Sequence, residues 1–309
     1  MILEAQQGLY KKRIRKGVWL SVFVIVAMTF LAVFASVISP YNPKEMKLGV
    51  SSFPPAWYDT PTKDGVPDHL LGTDLFGRDI LSRAIHGARA AMFLVVIAIP
   101  LTVLIGVTVG VAAGVEHKII ETLFLRFTDV MSAVPSFMFA VIIVLIFRST
   151  AMGRIFGGLI TLTLAFAFVN WVSLARLVYT AVLKIKQQEF IEASRSLGAT
   201  TGHQIFKHIL PHVSHLIVVW IVNNIPAVIL LEALLGYIGV QILRVADGSS
   251  FQDLSWGGLI FSGRTQLNWN PFILLVPTVC VLIISMSFSI LGEYLNERMN
   301  PQLESNHIV

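Results

Sequence analysis

Six apolar runs, each about as long as a bilayer is thick, constrain this 309-residue chain more than any other feature. They cover roughly 18–38, 90–115, 127–147, 155–183, 213–240 and 271–292, and each reaches the ~20 residues that a helix needs to cross ~30 Å of hydrocarbon. With 55% hydrophobic and only 13% charged residues, the chain falls far below the quarter or so of charged residues typical of a soluble domain. The expectation is an all-α integral membrane protein with six transmembrane helices. Lys11, Lys12, Arg13, Arg15 and Lys16 precede the first run. A cleaved signal would have a shorter apolar region of about 7–15 residues and a small-residue cleavage site, so the first helix is expected to be retained with a cytoplasmic N-terminus. Alternation then places 116–126, 184–212 and the segment after Gly292 inside, with both termini cytoplasmic. The loop 39–89 and the connections 148–154 and 241–270 fall outside, which puts Lys207 inside and Lys63 and Asp253 outside. Short inner loops hold Lys118, Arg126, Lys184, Lys186, Arg195 and Lys207 against Arg148, Arg154, Arg244 and Arg264 in the outer ones, the bias expected of cytoplasmic loops. The net charge of +5 reflects loops beside lipid headgroups and implies no nucleic acid. Cys280, the single cysteine, lies in an apolar run and provides neither a disulfide nor a cysteine metal site.

The long outer segment carries prolines at 40, 43, 54, 55, 61 and 67, which exclude long helices through most of it. Thr73 or Asp74 can cap a following helix with Ile80, Leu81, Ala84, Ile85 and Ala88 on one face and Arg78, Asp79, Arg83 and His86 on the other. That pattern suits an interfacial elbow helix turning into the next span. Asp74, Asp79 and His86 do not form a compact metal set. Within the spans, Pro100, Pro135, Pro226 and Pro277 suggest kinks. Asn170, Asn223, Asn224 and Glu232 are the candidate translocation-path residues, with helix packing as the competing role. Glu232 is read as the plausible member of any intramembrane charge network, near the outer end where it can snorkel. Trp256 and Trp269 are read as interface anchors.

Between the fourth and fifth runs lies a polar island, 189–211. As a helix, Phe190, Ala193, Ser194 and Leu197 share one weakly apolar face, with Glu189, Glu192, Arg195 and Ser196 opposite. Gly198 supplies the stop signal. Thr200 or Thr201 can cap a second short helix carrying Ile205, Phe206 and Ile209, and Pro211 marks a turn back into the bilayer. The expected product is a helix-turn-helix on the membrane surface. The chain contains no G-x-x-x-x-G-K-[ST] segment, nucleophile elbow or HExxH, so no catalytic residue is expected and energy must enter from a partner.

Glu192-Ala193-Ser194, then Gly198, then His208-Ile209-Leu210-Pro211 resembles the EAA loop of ABC importer permeases. Together with Leu71-Gly72-Thr73-Asp74-Leu75-Phe76-Gly77-Arg78-Asp79-Ile80-Leu81-Ser82-Arg83, it is similar to the second permease subunit of dipeptide and oligopeptide importers. Ser194 replaces the motif's second alanine, and Leu234-Leu235-Gly236-Tyr237-Ile238-Gly239 is a looser form of the family's Leu-Ser-Phe-Leu-Gly-Leu-Gly. The resemblance implies the type I importer permease fold in a bacterial inner membrane. It divides the chain into 1–89 with the first helix and outer loop, a five-helix core 90–293, and a tail 294–309. It also implies that Glu189, Glu192, Ala193, Ser194, Leu197, Gly198, Ile209, Leu210 and Pro211 dock an ATPase. The implied partners are a homologous second permease, two ATPase subunits holding ATP and Mg²⁺, an extracytoplasmic binding protein and membrane lipid. No cofactor is implied on this chain. Relatives with these motifs carry nickel, opines or other small solutes as well as peptides. An ion-coupled secondary carrier is the alternative from another class, and it leaves the cytoplasmic helix-turn-helix unexplained.

Overall fold

A computed structural model describes residues 2–59, 63–115, 118–147, 150, 158–240, 254–267 and 269–299, with backbone alone for 2–16, 48 and 159. The helices are α1 (Ile2–Val33), α2 (Ala35–Ile38), α3 (Ile80–Val115), α4 (Lys118–Ala133), α5 (Ser136–Phe147) and α6 (Leu159–Lys186), then α7 (Glu189–Ser196), α8 (Thr201–Gln204), α9 (Leu210–Tyr237), α10 (Trp256–Arg264) and α11 (Phe272–Met299). The expected connections around 148–157 and 241–253, with Arg148, Arg154, Arg244, Gly248 and Asp253, and the tail from 300 lie outside the described residues.

Among the described residues, four helices are long and apolar enough to cross a membrane, and a fifth span arises if α4 and α5 count as one. The apolar part of α1, Gly17–Val33, is shorter. The third run is therefore not a straight span from 127. It starts at Lys118 and bends by 84° between α4 and α5, because Pro135 lacks an N–H and pushes Val134 out of the helical region. Met138 and Phe139 restart the ladder on the Pro135 carbonyl, at 2.9 and 3.3 Å. Pro100, Pro226 and Pro277 instead lie inside continuous helices.

The centre of the bundle is the packing of α3 on α6. Gly106, Gly110 and Gly114 recur every fourth residue along one side of α3, and a Cβ on them would stand 2.9 Å from Leu174, 2.6 Å from the Ala175 carbonyl and 2.7 Å from Val182. Only glycine permits this approach, the usual device for close helix pairs where lipid offers no hydrophobic drive. Around it, Leu94 and Ala98 of α3, Phe166 of α6, Val228 and Ile229 of α9, Trp256 and Leu259 of α10 and Ile284 of α11 form one continuous core.

The expected elbow is not a separate helix, since α3 runs unbroken for 36 residues. The charged side of its first turns is buried against the protein, at Arg78, Asp79 and Arg83. Asp79 Oδ2 accepts from the Ser82 N–H at 2.7 Å and so caps α3 in place of Thr73 or Asp74. Asp79 Oδ1 meets His69 Nδ1 at 3.0 Å. Asp74 forms a tight turn instead, with Oδ1 accepting from Phe76 and Arg78 N–H at 2.9 Å and Oδ2 accepting from Arg78 Nε at 2.7 Å and from Arg83 Nη1. The outer loop is thereby folded onto the start of α3, and Asn270 ties it to α11 by donating to the Phe53 carbonyl at 2.8 Å.

Candidate functional site

The polar island forms a compact hairpin between α6 and α9. At its start, Lys186 Nζ donates to the carbonyls of Gly114 (2.9 Å) and Val115 (3.2 Å), which fixes the end of α6 to the end of α3. α7 stops where the sequence indicates. The Gly198 N–H donates to the Arg195 carbonyl at 2.9 Å and the Ala199 N–H to the Ser194 carbonyl at 3.1 Å, the paired bonds of a Schellman ending, with Gly198 at φ +83°. Thr200, not Thr201, caps α8, its Oγ1 accepting from the His203 N–H at 3.3 Å.

The turn expected at Pro211 is absent, and Thr201–Tyr237 is one continuous helix. A proline within a helix crowds the carbonyl four residues back and removes a donor. Here Ile205–Ile209 is a π-turn, and the Leu210 N–H reaches back to the Ile205 carbonyl. This widened turn takes up the misfit, so the helix continues instead of ending.

Ile191 is fully buried and Ile209 nearly so, and they anchor the hairpin. Ile209 is therefore a foundation and not a surface residue, while Leu210 is half-buried and Pro211 exposed. The predicted apolar face points outward, with Leu197 89% and Phe190 39% exposed. Phe190, Ala193, Ser194, Leu197 and Gly198 line an open groove of about 680 Å³, completed by Ala199, Thr200, His203 and His208. Phe190 stacks on His212 at 5.2 Å between ring centroids and lies 5.9 Å from His208. Glu189 and Glu192 are exposed but do not line the groove. His203 and His208 join it only through the fold of α8 onto α7, which periodicity within one helix does not reveal. The hairpin thus presents an open, mostly apolar groove beside an 89% exposed leucine and is anchored from beneath.

Residues 106–301 match the family of binding-protein-dependent transport system inner membrane components. The chain belongs to that family. This permease is 30% identical over 298 residues to the oligopeptide transport system permease protein OppC of Bacillus subtilis, covering 96% of this chain and 90% of that one. It is 27% identical to the dipeptide transport system permease protein DppC of Haemophilus influenzae (94% and 92% covered) and 29% identical to the di/tripeptide transport system permease protein DppC of Pseudomonas aeruginosa (94% and 89%). The inward-facing MetNI methionine ABC transporter aligns with a TM-score of 0.49 at 19% identity, over 70% of this permease and 95% of that chain.

The four candidate path residues of the permease meet different partners. Asn170 and Asn224 donate to carbonyls of their own helices, Phe166 at 3.0 Å and Trp220 at 2.8 Å. Asn223 packs on Gly292, where a Cβ would stand 2.1 Å from its Oδ1. Glu232 does not snorkel, being 3% exposed. Its Oε1 accepts from Ser255 Oγ at 2.6 Å, and both oxygens accept from the Gly257 N–H at 3.2 Å. The carboxylate thus closes the N-terminus of α10, which offers unpaired donors and a favourable dipole. Trp256, read as an interface anchor, is buried and donates Nε1–H to the Ala84 carbonyl at 3.0 Å, whereas Trp269 is exposed. Glu232 is also not the sole ionisable group in the apolar runs. Asp129 and Arg176 stand within the third and fourth, and the fold pairs them.

Proposed function

We propose that this permease is one half of the membrane portion of an ATP-driven importer and forms part of the path by which di- or oligopeptides cross the bacterial inner membrane. The outward groove of the 189–211 hairpin carries the reading, and the peptide transport named for the relatives supports the solute. In this reading α1, α3, the bent pair α4–α5, α6, α9 and α11 make six crossings, with both termini cytoplasmic. A homologous permease completes the path, and an extracytoplasmic binding protein delivers the solute. Two ATPase subunits, which hold ATP and Mg²⁺, dock at the grooves.

Docking seats the exposed Phe190, Ala193, Ser194 and Leu197 face in a cleft of the ATPase. Ile191 and Ile209 lie in the core beneath, and Lys186 grips the end of α3. Displacement of the docked hairpin on ATP-driven closure therefore passes directly to α3, α6 and α9 and alternates access to the path. The same machinery serves a nickel or opine importer with a different path lining.

The test is reconstitution. Vesicles containing this chain with its second permease and ATPases, supplied with the binding protein, should take up peptide only with ATP inside the ATPase compartment, and the chain alone should hydrolyse none. Uptake driven by a proton or sodium gradient without ATP would replace this reading with a secondary carrier.

A further inference from the structure

Asn170, Ser173, Arg176, Thr180 and Lys184 fall within an arc of about 120° along α6 at the helical 100° per residue. All five are exposed or half-buried, while Ala175, Val178 and Val182 on the opposite side are fully buried. From α4, Asp129 faces this stripe, its Oδ1 accepting from Arg176 Nη2 at 2.7 Å, with the two side chains 61% and 38% exposed. Arg176 Nε has no partner among the described residues. The pair is held on both sides, by Phe127 stacked on Trp171 at 6.0 Å and by the Tyr179 hydroxyl donating to Glu121.

Depth gives the pair its meaning. Arg176 stands about ten residues, or ~15 Å, from the end of α6 at Lys186, and Asp129 about eleven residues, ~16 Å, from the start of α4. Those two ends lie together, because Lys186 bonds to Gly114 and Val115 just before α4 begins. Arg176 therefore falls within the stretch of α6 that is long and apolar enough to cross a membrane, and the hydrogen bond holds Asp129 beside it, yet the pair is half-exposed. Such a group is costly against lipid, and where it occurs it faces a bundle interior or a water-filled cavity.

We propose that Arg176 and Asp129 form a charged station on the aqueous path, Arg176 taking the carboxylate and Asp129 the ammonium of a zwitterionic solute in transit. The proposal rests on the importer reading above. Nη2 serves the pair, which leaves Arg176 Nη1 to donate to a solute carboxylate in a charge-assisted hydrogen bond. Asp129 keeps Oδ2 for an ammonium. Ser173 and Thr180 add hydroxyl acceptors along the same stripe.

The assembled importer in vesicles tests this in two ways. In a Cys280→Ala background, Thr180→Cys should react with a charged methanethiosulfonate at least about ten-fold faster than Val279→Cys on the exposed apolar stripe of α11, because only a hydrated thiol ionises. Equal rates at the two positions would overturn the proposal. In uptake assays, Arg176→Gln and Asp129→Asn should each raise KM for a zwitterionic dipeptide about ten-fold with ATPase co-purification unchanged, and Arg176→Lys should recover part of the loss. The double variant carrying both amides leaves neither charge without its partner. A solute-binding station predicts that it transports no better than either single variant, whereas a merely internal strut predicts recovery, which would also overturn the proposal. A wild-type assembly that imported no peptide would sink the importer reading, while the labelling comparison would still decide whether this stripe is wet.

Discussion

At Gly198 nothing lies within 4 Å of the position a Cβ would take, so the only obstacle to a side chain there is φ +83°. A β-branched residue in that conformation is strained by roughly 1–2 kcal/mol, which is enough to redirect the exit of an eight-residue helix without unfolding a bundle. Gly198→Val is therefore expected to insert at near-normal abundance and to lose most ATPase co-purification and uptake. Gly198→Asn, whose residue type tolerates the left-handed region, should retain most of both. Glu192→Ala removes a charge without changing direction and should be milder than Val. Equal behaviour of Val and Asn would show that backbone conformation here does not control docking. Gly198 and Thr200 were legible in the sequence because their signals are local, a positive-φ stop and a cap within three residues. Glu232 was not, since its partners Ser255 and Gly257 lie more than twenty residues away on a helix whose position only packing decides.

Among elements, the hairpin and α9 differ most from what the sequence suggests. Proline ordinarily ends or kinks a helix, but the π-turn Ile205–Ile209 gives the chain a wider loop in which Pro211 fits. The turn has a geometric consequence. One extra residue in a helical turn rotates everything before it by about 100° relative to α9, and that rotation sets which side of α8 meets α7. Pro211→Ala restores the missing donor and removes the crowding, so the segment is expected to relax toward a regular α-helix. The change should raise or preserve thermal stability while swinging His203 and His208 out of the groove, lowering ATPase affinity. A fall in stability with unchanged docking would show that the π-turn is not imposed by the proline. The same logic separates what was readable at this scale from what was not. Run lengths located both ends of α6 and α9, the end of α3 and the start of α11 to within about four residues, because apolar length is a property of the segment itself. The union of elbow and span in α3, the burial of its charged side and the glycine contact with α6 all depend on what lies opposite.

For the whole molecule, the sidedness of the outer loop and the hairpin follows from α3. Its 36 residues extend for about 54 Å, beyond ~30 Å of hydrocarbon, and are apolar enough to cross a membrane, and such a crossing puts its two ends on opposite sides. At the start, Asp74, Arg78 and Arg83 are locked with Asp79, His69 and Ser82 into the folded outer loop. At the end, Gly114 and Val115 accept from Lys186 at the root of the hairpin. The outer loop and the hairpin therefore occupy opposite faces, whatever the orientation. Lys184, Lys186, Arg195 and Lys207 around the hairpin, with the basic cluster before α1, predict that the hairpin face is cytoplasmic. Asp64 and Lys207 are both exposed, so single cysteines at these positions in a Cys280→Ala background give a direct measurement. In intact cells an impermeant thiol reagent should label Asp64→Cys and leave Lys207→Cys untouched until the membrane is opened. Labelling of 207 alone would invert the orientation and remove the ATPases from their docking face, and labelling of both would mean that α3 does not cross.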